Sequence, residues 1–163
     1  MKKILLISDT HGYIDEKIIK YASQVDEIWH AGDIGSINVT DKLKKIKQLR
    51  GVFGNIDDQK IRTEFPLHNR FMCEKVDVWI THIGGYPKTY NSKILEELKS
   101  NPPDLFICGH SHILKVINDK KLGLLHINPG AIGKYGLHSV RTMVQFEING
   151  KKIENLSIIE FKR

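Results

Sequence analysis

Short apolar runs recur along the first two-thirds of the chain, at residues 4–7, 25–29, 52–53, 76–80 and 105–108, each rich in Ile, Val, Phe or Trp and too short for a helix. They predict buried strands. Between the first four runs and before the fifth lie three helical patterns, the alternation expected of βαβ units in a largely parallel sheet. The first spans about 15–24, with Ile14, Ile18, Ile19 and Ala22 inward. The second has Thr40 as its candidate N-cap, Leu43, Ile46 and Leu49 on one face, and Gly51 just past its end. The third begins near Asn91 or Ser92, turns Ile94, Leu95 and Leu98 inward, and stops at Pro102-Pro103.

After residue 113 the pattern changes: residues 114–117, 122–127, 140–148 and 153–161 predict strands joined by short turns, hence an antiparallel ladder. Asn149-Gly150 predicts a type I′ hairpin there. Neither an internal repeat nor a linker interrupts the chain. The expected class is α/β, and the expected architecture a four-layer αββα sandwich, two mixed sheets flanked by helices, in one domain over residues 1–163.

Composition narrows the classes. A hydrophobic share of 40% and a charged share of 27% in 163 residues suit a folded chain that fills one core. No apolar run approaches the roughly 18 residues of a spanning helix, and the start turns polar at Ser8-Asp9 too soon for a signal peptide, so a cytoplasmic location is expected. Cys73 and Cys108 are far apart with no C-x-x-C spacing, which supports neither a disulfide framework nor a thiolate zinc site. Much of the net charge of +6 lies in Lys42, Lys44, Lys45 and Lys47, alternating with apolar positions as on a solvated helix face. Nucleic acid is therefore not an expected partner.

The ends of the apolar runs carry the chemistry. They terminate in Asp9-Thr10-His11-Gly12, Ala31-Gly32-Asp33, Gly54-Asn55, His82 and Gly109-His110-Ser111-His112. In open α/β sheets the ligand lies outside the carboxyl ends of the strands, so seven donors converge on one rim. In extended chain Asp9/His11 and His110/His112 would each share a face and chelate. A mixed N/O set suits Mn²⁺, Fe, Zn²⁺, Co²⁺ or Ni²⁺ better than Ca²⁺, and seven donors exceed a mononuclear zinc site. Two cations sharing a bridge account for the number.

Asp9-x-His11, Gly32-Asp33, Gly54-Asn55, His82 and Gly109-His110-x-His112, in this order, resemble the calcineurin-like metallophosphoesterase superfamily. More closely, the chain looks like the small bacterial and archaeal phosphodiesterase branch, which also contains the small retromer subunit of eukaryotes. Asn128-Pro129-Gly130 is similar to a turn of that branch. The resemblance implies that Asp9, His11, Asp33 and His112 bind one metal, and Asp33, Asn55, His82 and His110 the other, with Asp33 bridging. It also implies attack by a metal-bridging hydroxide on a small phosphodiester or activated aryl ester, with the ions roughly 3.5–4 Å apart, manganese the expected metal, and Asp33, Asn55 and His82 central to catalysis. A homodimer or larger homo-oligomer is implied too. The alternative is a noncatalytic scaffold of the same fold, as the retromer relative is. Many members place His directly after Gly-Asn to protonate the leaving group, whereas here Ile56-Asp57 follows. Loss of a general acid worth about 10²–10⁴ in rate predicts poor handling of poor leaving groups.

Other candidates have plainer readings. His30 is expected in the core or behind the ligands, and Asp57 is a candidate to orient Asn55 or a ligand histidine. His68 and His126 read as surface, sheet or pocket-edge residues, and Trp29 and Trp79 as packing. Residues 133–138, with His138, are a candidate loop over the site, Lys134 or Arg141 meeting phosphate.

Overall fold

A computed structural model describes all of residues 1–163. In chain order the elements are β1 Lys2–Ile7, α1 Glu16–Ala22, β2 Glu27–His30, α2 Ile37–Lys44, β3 Gln48–Gly51, α3 Gln59–Glu64, β4 His68–Cys73 and β5 Val76–Thr81. A small hairpin, β6 Gly85–Tyr86 and β7 Thr89–Tyr90, precedes α4 Leu95–Ser100, β8 Leu105–Ile107, β9 Leu114–Asp119, β10 Leu124–Pro129, β11 Val140–Asn149 and β12 Lys152–Lys162.

Two five-stranded sheets result, ordered β12-β11-β1-β2-β3 and β4-β5-β8-β10-β9. In the first, β1, β2 and β3 are parallel and β11 joins β1 antiparallel; in the second, β5, β8 and β10 are parallel, edged by antiparallel β4 and β9. Alternation along β1 explains the layering. Ile4 and Leu6 point between the sheets with Trp29, Val78, Ile107 and Phe146, while Leu5 and Ile7 point outward against Ile18 and Ala22 of α1 and Leu43 of α2. On the far face Trp79 and Phe106 pack under Ile94 and Leu98. The αββα sandwich is therefore the fold, with a thin outer layer over the second sheet. Emptying the inter-sheet core with Phe146→Ala is expected to cost about 3–5 kcal/mol. No helix is long and apolar enough to cross a membrane.

The structure revises several expectations. The second helix starts at Ser36, whose hydroxyl accepts the Asn38 N–H, so Thr40 lies inside it and not at its cap. Leu49 and Gly51 belong to β3, paired in parallel with Ile28 and His30; the residues fit a strand's period as well as a helix's, and pairing with β2 decides. Val52-Phe53 lies just past that strand. The predicted ladder divides, β9/β10 in one sheet and β11/β12 in the other, because β10 and β11 each find a partner from the first half of the chain. The hairpin after β11 turns on Gly150-Lys151, since Asn149 pairs with Lys152. Only Gly150 has positive φ there, as type II′ needs and type I′ does not allow. Helix α3 and strand β4 went unforeseen; Asp58 caps α3 by accepting the Ile61 N–H.

Candidate metal centre

The parallel strands β1, β2 and β3 of one sheet and β5 and β8 of the other end at the same rim, so the loops that follow them meet. Two donor groups form: Asp9, His11 and His112 in one, Asp33, His82 and His110 in the other, the donor atoms of each within 4.8 Å of one another. Asp33 joins them. Its Oδ2 lies 3.6 Å from His11 Nε2 and 3.2 Å from His82 Nε2. Asp9 Oδ1 is 3.2 Å from His112 Nε2 and 4.0 Å from His82 Nε2. Asn55 Oδ1 completes the set, 3.1 Å from His82 Nε2 and 3.0 Å from His110 Nδ1. All seven residues picked from the sequence therefore converge.

They do not converge through extended chain. Asp9, His11, Asp33, His110 and His112 are five of the eight non-glycine residues with positive φ. Each such residue costs on the order of 1–3 kcal/mol and persists only where its surroundings over-determine it. The curl is what lets consecutive loop residues aim at one point immediately after the strands stop. Backbone hydrogen bonds hold it: Asp9 N–H donates to Gly32 O, His11 N–H to Asp33 O, and Gly109 N–H to His82 O. Close approach does the rest. A Cβ on Gly54 would run into the Asp33 carboxylate, and one on Gly32 into the His82 ring.

Hydrogen-bond logic fixes the donors. His82 Nδ1 lies 2.7 Å from Ala31 O, a pure acceptor, so Nδ1 carries the proton. Neutral Nε2 is then a lone pair facing the oxygens of Asn55 and Asp33, an arrangement that requires a proton or a cation between them. Burial pushes the His82 pKa down, but the carboxylates of Asp33 and Asp9 outweigh it and the net direction is up. Asp9 is fully buried, which opposes ionisation, yet His11, His112 and His82 hold its carboxyl well below the usual range. Asp33 is likewise lowered, burial being outweighed by His82. Asp9 Oδ1 and His11 Nε2 are buried without a hydrogen-bond partner in the chain. Such atoms are costly unless a ligand satisfies them, and the N/O set fits divalent transition cations.

The surrounding residues steady this set. Ser8 Oγ donates to Asp9 Oδ2. His30 is fully buried; its Nδ1 accepts from Gly32 N–H, so Nε2 donates to Thr10 Oγ1, which donates in turn to Ile34 O. Burial lowers the His30 pKa to about 4, so the ring is neutral, as its place behind the ligands suggests. Asp57 orients neither Asn55 nor a histidine, contrary to expectation: its carboxylate accepts the N–H groups of Ile34, Gly35 and Gly54, tying the Asp33 loop to the Asn55 loop. Asn128 donates from Nδ2 to Gly109 O and Ser111 Oγ while Oδ1 accepts from Gly130 N–H, bracing the His110–His112 segment as well as making its own turn. Tyr86 OH also meets Ser111 Oγ.

Residues 133–138 do lie over the site. The Tyr135 ring is 4.9 Å from that of His11, and His138 is 5.2 Å from His112. Arg141 is not free for phosphate, being buried and donating to Ile132 O and Asp15. Lys134 sits over the Tyr13 ring. His126 is buried within its sheet, while exposed His68 stands edge-on to Trp79. Cys73 and Cys108 are buried and free, and burial pushes the Cys108 thiol up to about 12, leaving it protonated. Ser8 and Arg62 were missed from the sequence. Ser8 carried a signal, its place beside Asp9; Arg62 reaches the Asn55 loop only through folding.

Known proteins resemble this chain in sequence and in fold. The family model described as the calcineurin-like phosphoesterase superfamily domain matches residues 1–151. A probable metallophosphoesterase of Methanothermobacter thermautotrophicus is 28% identical over 156 residues, 91% of this chain and 87% of that protein. Among solved structures, Vps29 of Chaetomium thermophilum superposes with a TM-score of 0.77 at 17% identity, over 99% of this chain and 97% of that one. A structure described as a novel archaeal phosphodiesterase gives 0.75 at 23% identity, over 96% and 99%.

Proposed function

The chain belongs to the calcineurin-like phosphoesterase superfamily, and from that premise we propose that it is a two-metal-dependent phosphodiesterase acting on a small phosphodiester or an activated aryl phosphate ester. The observation that carries this reading is Asp33 Oδ2, within 3.6 Å of His11 Nε2 on one side and 3.2 Å of His82 Nε2 on the other. One carboxylate oxygen serves both donor groups. Asp9, His11, His112 and Asp33 would hold one cation, and Asp33, Asn55, His82 and His110 the second. Manganese is the proposed ion, within a donor set that Fe, Zn, Co and Ni also suit. When bound, such a pair supplies charge to hold phosphoryl oxygens and to acidify the attacking water.

The chain's own residues do the positioning. His82 keeps its Nε2 lone pair on the site because its Nδ1–H donates to Ala31 O. Ser8 fixes the Asp9 rotamer, and Asp57 fixes the distance between the Asp33 and Asn55 loops. Ile56, 48% exposed beside Asn55, offers no proton to a leaving group, which favours esters whose leaving group departs as a stable anion.

A noncatalytic metal-binding scaffold is the rival, and one observation favours it: Ile113, Tyr135 and Leu137 leave large apolar surface exposed close to the ligands. Metal analysis combined with hydrolysis of bis(p-nitrophenyl) phosphate, with and without Mn²⁺, for the parent and Asp33→Asn separates the two. The parent is expected to turn over and the variant to lose both activity and metal. A metal-loaded parent inert toward diesters, monoesters and cyclic nucleotides defeats the enzyme reading.

A further inference from the structure

The Asn55–His82 side of the cluster opens into a cleft of about 340 Å³ whose walls include those two ligands. That volume stands near the bottom of the roughly 300–1,000 Å³ common for ligand sites, so it suits one compact group. Phe53, Leu67, Ile83 and Ile94 make its apolar walls. Leu67 and Ile83 are 52% and 41% exposed, apolar surface set directly beside a charged centre. No Asp or Glu lines the cleft, while Arg62 and Lys93 do.

Arg62 is not a loose surface arginine. Its Nε donates to Asp57 O at 2.7 Å and its Nη2 to Asn55 O at 3.2 Å, and its guanidinium lies 4.6 Å from the Phe53 ring centroid. A flat cation is thus held in one plane at the cleft wall, the arrangement that stacks well on planar aromatic groups. Asn91 is tied into the cleft wall: its Nδ2 donates to Ile83 O and its Oδ1 accepts from Lys93 N–H. It braces the wall that carries Ile83 and Lys93.

Resting on the phosphodiesterase reading, we infer that this cleft holds one ester group of the substrate and that this group is a nucleotide: planar, aromatic and bearing a second phosphate. The apolar walls and the Arg62 plane take the base, and Lys93 with Arg62 takes the charge remote from the scissile phosphorus. A diester of two simple alkyl groups leaves these features unused.

Calorimetric titration of the manganese-loaded full chain with ribose 5-phosphate, adenosine 5′-monophosphate and adenosine 3′,5′-bisphosphate tests this. The monophosphate is expected to bind about tenfold tighter than ribose 5-phosphate, the range of one stacked base, and the bisphosphate more tightly again. Leu67→Ser should shrink the first step, and Lys93→Gln should abolish the second while leaving the first; both side chains are exposed, and thermal unfolding checks that the variants fold. Equal binding of ribose 5-phosphate and the monophosphate, a bisphosphate step indifferent to Lys93→Gln, or no binding of any of the three overturns the inference. Ordered binding by a protein that hydrolyses no diester keeps the cleft and removes the catalytic reading. Hydrolysis of bis(p-nitrophenyl) phosphate with the three ligands bound alike does the reverse.

Discussion

The two halves of the donor cluster differ in what surrounds them. The Asp9–His11–His112 half is roofed by Tyr135 and His138, and its histidine side chains are 11% and 17% exposed. The half made by Asp33, His82, His110 and Asn55 leaves His110 and Asn55 exposed and shares a wall with the cleft. Roofing slows exchange and fixes geometry; openness admits substrate. On the two-metal proposal, the contrast would divide labour within one cluster, the covered side holding its cation and the open side meeting substrate, with Asp33 between them.

Removing one half at a time is the most forceful way to break that contrast. His112→Ala and His82→Ala should each lower hydrolysis by on the order of 10³-fold, since a metal's charge contributes several kcal/mol to such a transition state. Metal content should fall from two ions to one in both. Nucleotide binding should survive only in His112→Ala, because the remaining ion then faces the cleft. Loss of both ions from both variants would mean that Asp33 couples the halves too tightly for separate roles.

Asp57→Ala attacks the geometry without touching a ligand. Three backbone N–H groups lose a buried carboxylate acceptor, so stability should drop by about 3–5 kcal/mol and manganese affinity by about 10–100-fold. Thermal unfolding and metal titration read the two separately. Should affinity stay at the parental level in a destabilised protein, the loops do not need Asp57 to hold their spacing.

These roles differ in how far the sequence announced them. The candidate ligands were legible because they stand at or within a few residues of the ends of the apolar runs, and most of those runs form strands that stop at one rim. Their backbone was not, since extended spacing and a left-handed curl leave the same residues two apart. Leu49 misled for a related reason: it fits both a helical face and a strand, and only the β2 partner decides between them. Asp57 and Arg62 were beyond reach in role, because what they hold are main-chain groups of distant loops, and main-chain groups leave no mark in composition or period. The division of the C-terminal strands between two sheets depended likewise on partners far back in the chain.

A gentler change sharpens the comparison from the covered side. Tyr135→Ala removes a 70% exposed ring from over His11. Manganese should then leave the covered half faster by at most about tenfold, the low end for groups that support ligands from outside. Chelator-chase kinetics show this as a change in the slower of two release phases, the faster phase staying put. Two phases accelerated alike would make the loop a cover for the whole cluster.

An effect on the fold alone is expected at the other end of β2, and it calibrates the pH dependence of everything above. Glu27 is buried, and its carboxylate accepts from Trp29 Nε1 at 3.0 Å and Arg50 Nε at 2.8 Å, with Lys2 Nζ at 3.6 Å. Burial raises its pKa, but Arg50 and Trp29 outweigh burial, and the folded value lies below the ordinary one. A group lowered on folding contributes stability that is full above its unfolded pKa and disappears as pH falls through the folded value. Glu27→Gln should therefore cost about 1–2 kcal/mol at neutral pH, with the two proteins converging in acid. Urea unfolding across the acid range measures this. If the difference persists at low pH, the stabilisation comes from shape and not from charge, and acid loss of activity can then be assigned to the metal ligands without a correction for the fold.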